Sequence, residues 1–110
     1  MADKKDIIYK FAKLLKQMLG DRLTKVILYG SYARGDYNEN SDVDIMVLTT
    51  FSDEEIEQIE SKVFDLAFDF LMEHGIDISV IVKNDEHFYH WLGALPFYNN
   101  VDKEGIVIGE

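Results

Sequence analysis

Residues 30–47 read Gly30-Ser31-Tyr32-Ala33-Arg34-Gly35, a short polar stretch, and then Ser41-Asp42-Val43-Asp44-Ile45-Met46-Val47. The first half is a strand-stopping glycine followed by a hydroxyl residue. A turn of this kind can hold phosphate oxygens on backbone N–H groups, and Gly30 removes the Cβ that would obstruct close approach. The second half alternates acidic and apolar residues with the period of a β-strand. At a rise of ~3.3 Å per residue, the α-carbons of Asp42 and Asp44 stand ~6.6 Å apart with both side chains on one face. Two carboxylates so placed converge on divalent metal, and without metal or water they repel each other. Each half also has a plainer reading. Gly-Ser serves an ordinary strand-to-helix turn, and Asp-x-Asp suits a solvated strand end. Joined in one loop, the two halves point to metal-assisted chemistry on a nucleotide.

The flanking sequence predicts how this loop is framed. Upstream, Thr24 to Tyr29 is a β-prone run stopped by Gly30, and Ile7, Ile8, Phe11, Leu14, Leu15, Met18 and Leu19 have helical spacing over 5–19, with Gly20 as C′ residue. A helical turn begins at Ser31, and a polar connection runs from Asp36 to Ser41. In the strand Asp42 to Leu48, residues Asp42, Asp44, Met46 and Leu48 share one face, and Val43, Ile45 and Val47 share the other. Downstream, Ser52-Asp53-Glu54-Glu55 is a capping box, and Ile56, Ile59, Val63, Leu66 and Phe70 form an apolar helical stripe that ends at Gly75. Ile76 to Val82 alternates again, with Asp77 and Ser79 opposite Ile76, Ile78, Val80 and Val82. Asn84 or Asp85 caps a third helix through Phe88 and Trp91, Pro96 interrupts it, and Gly105-Ile106-Val107-Ile108 reads as a last strand. The expected fold is therefore a small α/β (α+β) domain over residues 1–110, a mixed β-sheet packed with helices on one side.

Asp77 adds a third carboxylate. If its strand neighbours the Asp42–Asp44 strand, three acids meet at one end of the sheet, although a polar strand end facing water explains Asp77 as well. Arg34 follows Ser31 by one turn, where a guanidinium reaches a phosphate or orients an acidic neighbour.

Composition narrows the class. Of 110 residues 47% are apolar, with seven Phe, six Tyr and one Trp, enough to fill a single core. Twenty-one Asp and Glu against eleven Lys and Arg give a net charge of −10, which repels a nucleic-acid backbone; a small nucleotide or a protein partner is the better match. Met1 to Lys5 lacks the apolar segment of a secretory leader, and no window is apolar for long enough to span a membrane, so a cytoplasmic location is expected. The absence of cysteine excludes disulfides, thiol catalysis and Cys-ligated metal.

The spacing of Gly30-Ser31, ten residues, and Asp42-x-Asp44 resembles the signature of the polymerase-β-like nucleotidyltransferase superfamily. The fuller string Gly-Ser-Tyr-Ala-Arg-Gly with Ser-Asp-Val-Asp-Ile is similar to its minimal (MNT) branch, which includes antitoxins encoded beside HEPN-domain ribonuclease toxins. The resemblance runs over nearly the whole chain. It implies the polymerase-β-like nucleotidyltransferase fold and transfer of a nucleoside monophosphate from a triphosphate to a hydroxyl. It further implies that Asp42 and Asp44 hold two Mg²⁺ ions, that Asp77 binds the catalytic metal and helps deprotonate the acceptor, and that Gly30 and Ser31 hold the β and γ phosphates. Larger relatives add a helical acceptor-binding domain, for which this chain has no room. The acceptor is then a partner, and for this branch the implied reaction is adenylylation, from ATP, of a tyrosine on the HEPN toxin.

Two other readings stay open at this stage. One is a non-catalytic antitoxin that masks its toxin by stoichiometric binding. The other is a small-molecule (aminoglycoside-type) nucleotidyltransferase whose acceptor cleft forms between subunits of a homo-oligomer. His87 and His90 lie three apart on the third helix and read as surface or partly packed residues rather than metal ligands. Phe88, Tyr89, Trp91, Phe97 and Tyr98 form an aromatic cluster that fills core or, in part, faces a partner.

Overall fold

The computed structural model describes residues 3–38 and 40–109; Met1 and Ala2 of the N-terminal reading lie outside the described residues. Helix α1 (Lys4–Leu19) is capped by the Asp3 side chain, which accepts from Lys5 N–H, and it ends at Gly20. A 3₁₀ turn leads into strand β1 (Leu23–Tyr29), followed by a one-turn helix α2 (Ser31–Arg34) and strand β2 (Val43–Thr49). Helix α3 (Asp53–His74) starts at the expected capping box, with Ser52 and Glu55 each bonding the other's backbone N–H, and stops at a left-handed Gly75. Then come β3 (Ile78–Asn84), α4 (Asp85–Trp91), α5 (Pro96–Glu104) and β4 (Ile106–Gly109).

The four strands form one sheet in the order β3-β2-β1-β4. β1 is antiparallel to both β2 and β4, and β2 is parallel to β3, the crossover between them being α3. The mixed sheet expected from the sequence is thus present. The alternation of β2 sorts its side chains as expected. Val43, Ile45 and Val47 join Val26, Leu28, Ile78 and Val82 in a core under α1 and α3, where Phe11 and Phe70 meet edge to face at 5.2 Å.

The opposite face carries a second, smaller core that the sequence reading did not include. Ile27, Met46 and Leu48 pack there with Phe88 of α4 and with Tyr98 and Val101 of α5. The two long helices lie on one side as expected, and the two short ones cover part of the other. The two short helices are separate elements. The expected interruption by Pro96 does not occur: α4 already ends at Trp91, where Leu92 turns extended and Gly93 takes a positive φ of 97°. Pro96 instead starts α5 as a first-turn residue, because its missing N–H lies where the helix needs none. Among the described residues no helix is long and apolar enough to cross a membrane.

Candidate active site

The topology gathers the expected site residues at one end of the sheet. β1 ends where β2 begins, with Tyr29 paired to Asp44, so Gly30 and Ser31 follow directly beside the acidic strand start. The parallel pairing of Asp44 with Ser79 places Asp77, two residues earlier, next to Asp42; the Val43 N–H donates to the Asp77 carbonyl at 2.9 Å. β3 therefore begins at Ile78 rather than at Ile76, since ladder pairing with β2 starts there.

Gly30 sits at φ 74°, ψ −152°, a conformation open to glycine. A Cβ on Gly30 would overlap Oδ2 of Asp44. The glycine thus admits the acid itself, a closer role than the phosphate approach expected of it. In α2 the first intrahelical bonds run from Ala33 and Arg34 N–H to Gly30 O, each 3.1 Å, which leaves the Ser31 and Tyr32 amides at the helix start outside that ladder.

Asp42 is exposed and Asp44 half-buried. Burial pushes the Asp44 carboxyl above its ordinary value, the charge of Asp42 raises it further, and Arg34 pulls it back. Two carboxylates on one strand face, one of them half-buried and raised by the other, form a donor set of hard oxygens that a divalent cation would stabilise. Asp77 is exposed. It shares the sheet end with the pair, but among the described residues no three His, Asp or Glu side chains draw together into a metal-holding cluster.

Arg34 is brought to carboxylates. Its Nε donates to Asp36 Oδ2 at 3.1 Å and its Nη1 to Glu104 Oε2 at 3.0 Å, which ties the motif turn to the end of α5. Tyr32 accepts from Lys4 Nζ at 3.1 Å and stacks on Tyr37 with ring centroids 4.2 Å apart, fixing the turn to α1. Behind this turn lies a cleft of about 620 Å³ lined by Ile8, Leu28, Tyr32, Tyr37, Ile106 and Ile108 among others, on the face away from the acids.

Sequence reasoning missed two residues at this end. Tyr29 faces Asp44 across the β1–β2 pair; burial first, then the Asp44 charge, lifts its phenol to about 12. Its ring meets the half-exposed Phe97 edge to face at 5.7 Å. Glu104 holds Arg34 from 70 positions away. Tyr29 had a local signal, being the last residue before the glycine, whereas Glu104 had none. The aromatic cluster divides between its two readings, Phe88 and Tyr98 being core and Tyr89, Trp91 and Phe97 exposed. His87 and His90 are exposed, as the plainer reading has them.

Residues 8–105 match the nucleotidyltransferase domain family. Similar chains from Methanocaldococcus jannaschii include one named "Putative protein adenylyltransferase MJ0604", 37% identical over 101 residues that cover 92% of this chain and 93% of that one. Another, "Putative protein adenylyltransferase MJ0141", is 39% identical over 79 residues, 70% of this chain and 76% of that one. Among solved structures, a toxin-antitoxin crystal structure with AMP-PNP superposes with a TM-score of 0.57 at 20% identity, covering 93% of this chain and 73% of that one. A second, of the toxin-antitoxin MntA-HpeT carrying a mutant, gives 0.55 at 19% identity over 99% and 75% of the two chains. These two likenesses concern the fold. The profile match over most of the chain and the relative at 37% identity settle the family: this chain belongs to the nucleotidyltransferase domain family and is an enzyme of the nucleotidyltransferase type.

Proposed function

We propose that this chain transfers AMP from ATP to the hydroxyl of a tyrosine on a HEPN-domain ribonuclease toxin, in an Mg²⁺-dependent reaction, and so acts as that toxin's antitoxin. The observation that carries this reading is the contact between Gly30 and Asp44: the phosphate-type turn and the acid pair are one packed unit, as transfer from a triphosphate requires. The adenylyltransferase names of its relatives and the AMP-PNP and toxin-antitoxin descriptions of its structural neighbours support the nucleotide and the class of acceptor.

In this reading Asp42 and Asp44 would hold two Mg²⁺ ions, and Asp77, at the neighbouring strand start, would join them on the acceptor side. Bound Mg²⁺ supplies the neutralising charge that lets a triphosphate approach this acidic end of the sheet. Gly30 and Ser31 bind the β and γ phosphates through the turn, and Arg34 reaches them only by exchanging its Asp36 or Glu104 partner for phosphate oxygen. The tyrosine oxygen attacks the α-phosphorus, the bond to the α–β bridging oxygen breaks, pyrophosphate leaves, and the phenolic proton passes to Asp77.

The test is labelled ATP with Mg²⁺ and a HEPN-domain protein whose gene adjoins that of this chain. Wild type should label the partner, and Asp42→Ala/Asp44→Ala should not. No transfer by wild type, or equal transfer by the double variant, defeats the enzymatic claim; a double variant that still neutralises the toxin favours stoichiometric masking instead.

A further inference from the structure

α3 buries Ile56, Val63, Ala67 and Phe70 against the core. On its other side, Phe64, Phe68, Leu71 and Met72 are 45%, 58%, 38% and 70% exposed. Their spacing of i, i+4, i+7 and i+8 puts them in one sector of roughly 100° on the helix surface. Single exposed apolar side chains are ordinary, but four large ones aligned over two turns form a patch. The same face continues toward the helix start as Glu57, Glu60 and Ser61, and Asp65 and Asp69 lie along one flank. Over its whole length α3 carries eight acidic residues and a single lysine, Lys62.

We propose that this face of α3 docks an amphipathic helix of a partner protein, one whose apolar ridge is flanked by Lys and Arg. The charge selects the occupant. A second copy would set one acidic helix against another, and an anionic membrane surface would meet the same repulsion. A helix with a basic rim satisfies both halves of the strip, its ridge on Phe64, Phe68, Leu71 and Met72 and its cations on Glu57, Glu60, Asp65 and Asp69. The position is also useful. The apolar half of the strip is the end of α3 that leads through Gly75 to Asp77, so a protein held there lies near the acidic end of the sheet but behind it. Docking stands apart from adenylyl transfer, since it needs a basic amphipathic helix and not ATP.

The test uses the full chain and a fluorescein-labelled synthetic helix with leucines at i, i+3, i+4 and i+7 flanked by Lys and Arg, read by anisotropy. Wild type should bind it saturably, and Phe68→Glu/Met72→Glu should weaken binding at least roughly tenfold with an unchanged thermal midpoint. Glu57→Lys/Asp65→Lys should also weaken it and should gain affinity for the same peptide with Glu in place of Lys and Arg. Asp42→Asn/Asp44→Asn should bind like wild type, which separates docking from transfer. Absence of saturable binding by wild type, or equal binding by Phe68→Glu/Met72→Glu, overturns the proposal. So does a wild-type dimer in sedimentation that Phe68→Glu dissolves, because the occupant would then be a second copy.

Discussion

The carboxylate of Asp44 occupies the space that a side chain on Gly30 would fill, with a Cβ there standing 3.3 Å from Asp44 Cγ and overlapping Oδ2. Backbone and acid therefore fix each other, and the glycine's positive φ of 74° adds a conformational requirement to the steric one. Gly30→Ala should lower stability by about 1–3 kcal/mol from backbone strain alone. Because the substitution also displaces a proposed metal ligand, transfer should fall on the order of 100-fold. Urea unfolding and labelled-ATP transfer measure the two effects; a folded variant with wild-type transfer would show that Asp44 need not sit where it does.

Asp44 should titrate above the ordinary carboxylate value of 3.8, raised by burial and then by Asp42, and lowered by Arg34. A carboxyl whose folded value is raised gives a stability contribution that is fully present below the unfolded value and fades as pH rises through the folded one. Followed by carboxyl-carbon NMR, Asp42→Asn should bring the Asp44 titration down and Arg34→Gln should take it up. Added Mg²⁺ should move it down, since metal and proton compete for the same oxygens. A titration unmoved by Mg²⁺ would remove Asp44 from the metal assignment.

Tyr29 provides a second reporter of the same field. Its phenol, lifted to about 12, should ionise well above the ordinary tyrosine value of 10.0 in an ultraviolet titration. Asp44→Asn should lower it only in part, burial being the larger cause. The sign for stability is that the Tyr29 contribution is intact below 10.0 and is lost as pH climbs toward 12. If Asp44→Asn left the Tyr29 titration unchanged, the two side chains would not share a field.

Phe88 is 1% exposed and packs on Tyr98 with ring centroids 4.9 Å apart, so it anchors the helices that cover the site face of the sheet. Phe88→Ala should cost about 3–5 kcal/mol by the usual penalty for emptying an aromatic core position. Denaturant unfolding reads this directly. A loss below about 1 kcal/mol would mean that α4 and α5 contribute little to the fold.

Most of the framework was legible because its signals are local. The Ser52–Glu55 capping box, the glycines at 20 and 75 and the alternation of β2 each state a boundary or a face within a few residues, and the structure has them where the sequence places them. The Gly30-Ser31 turn and the Asp42–Asp44 pair were legible for the same reason. What escaped was set by pairing across the chain. β3 starts two residues later than its alternation implies because β2 dictates the register, and Glu104 reaches Arg34 only once β4 has brought the chain end beside β1. The two-sided covering of the sheet was hidden because α4 stops at Trp91, ahead of the proline that reads as its end, and Pro96 serves only as the start of α5.

The acid pair lies on one face of the sheet, and the apolar strip of α3 lies on the outside of the helix layer that covers the other. The two surfaces therefore share no residue, and the effects of substitutions on them should add. Under the proposed docking, substitutions at Phe64, Phe68, Leu71 and Met72 would change which partner is held while leaving the packing of Gly30 against Asp44 intact.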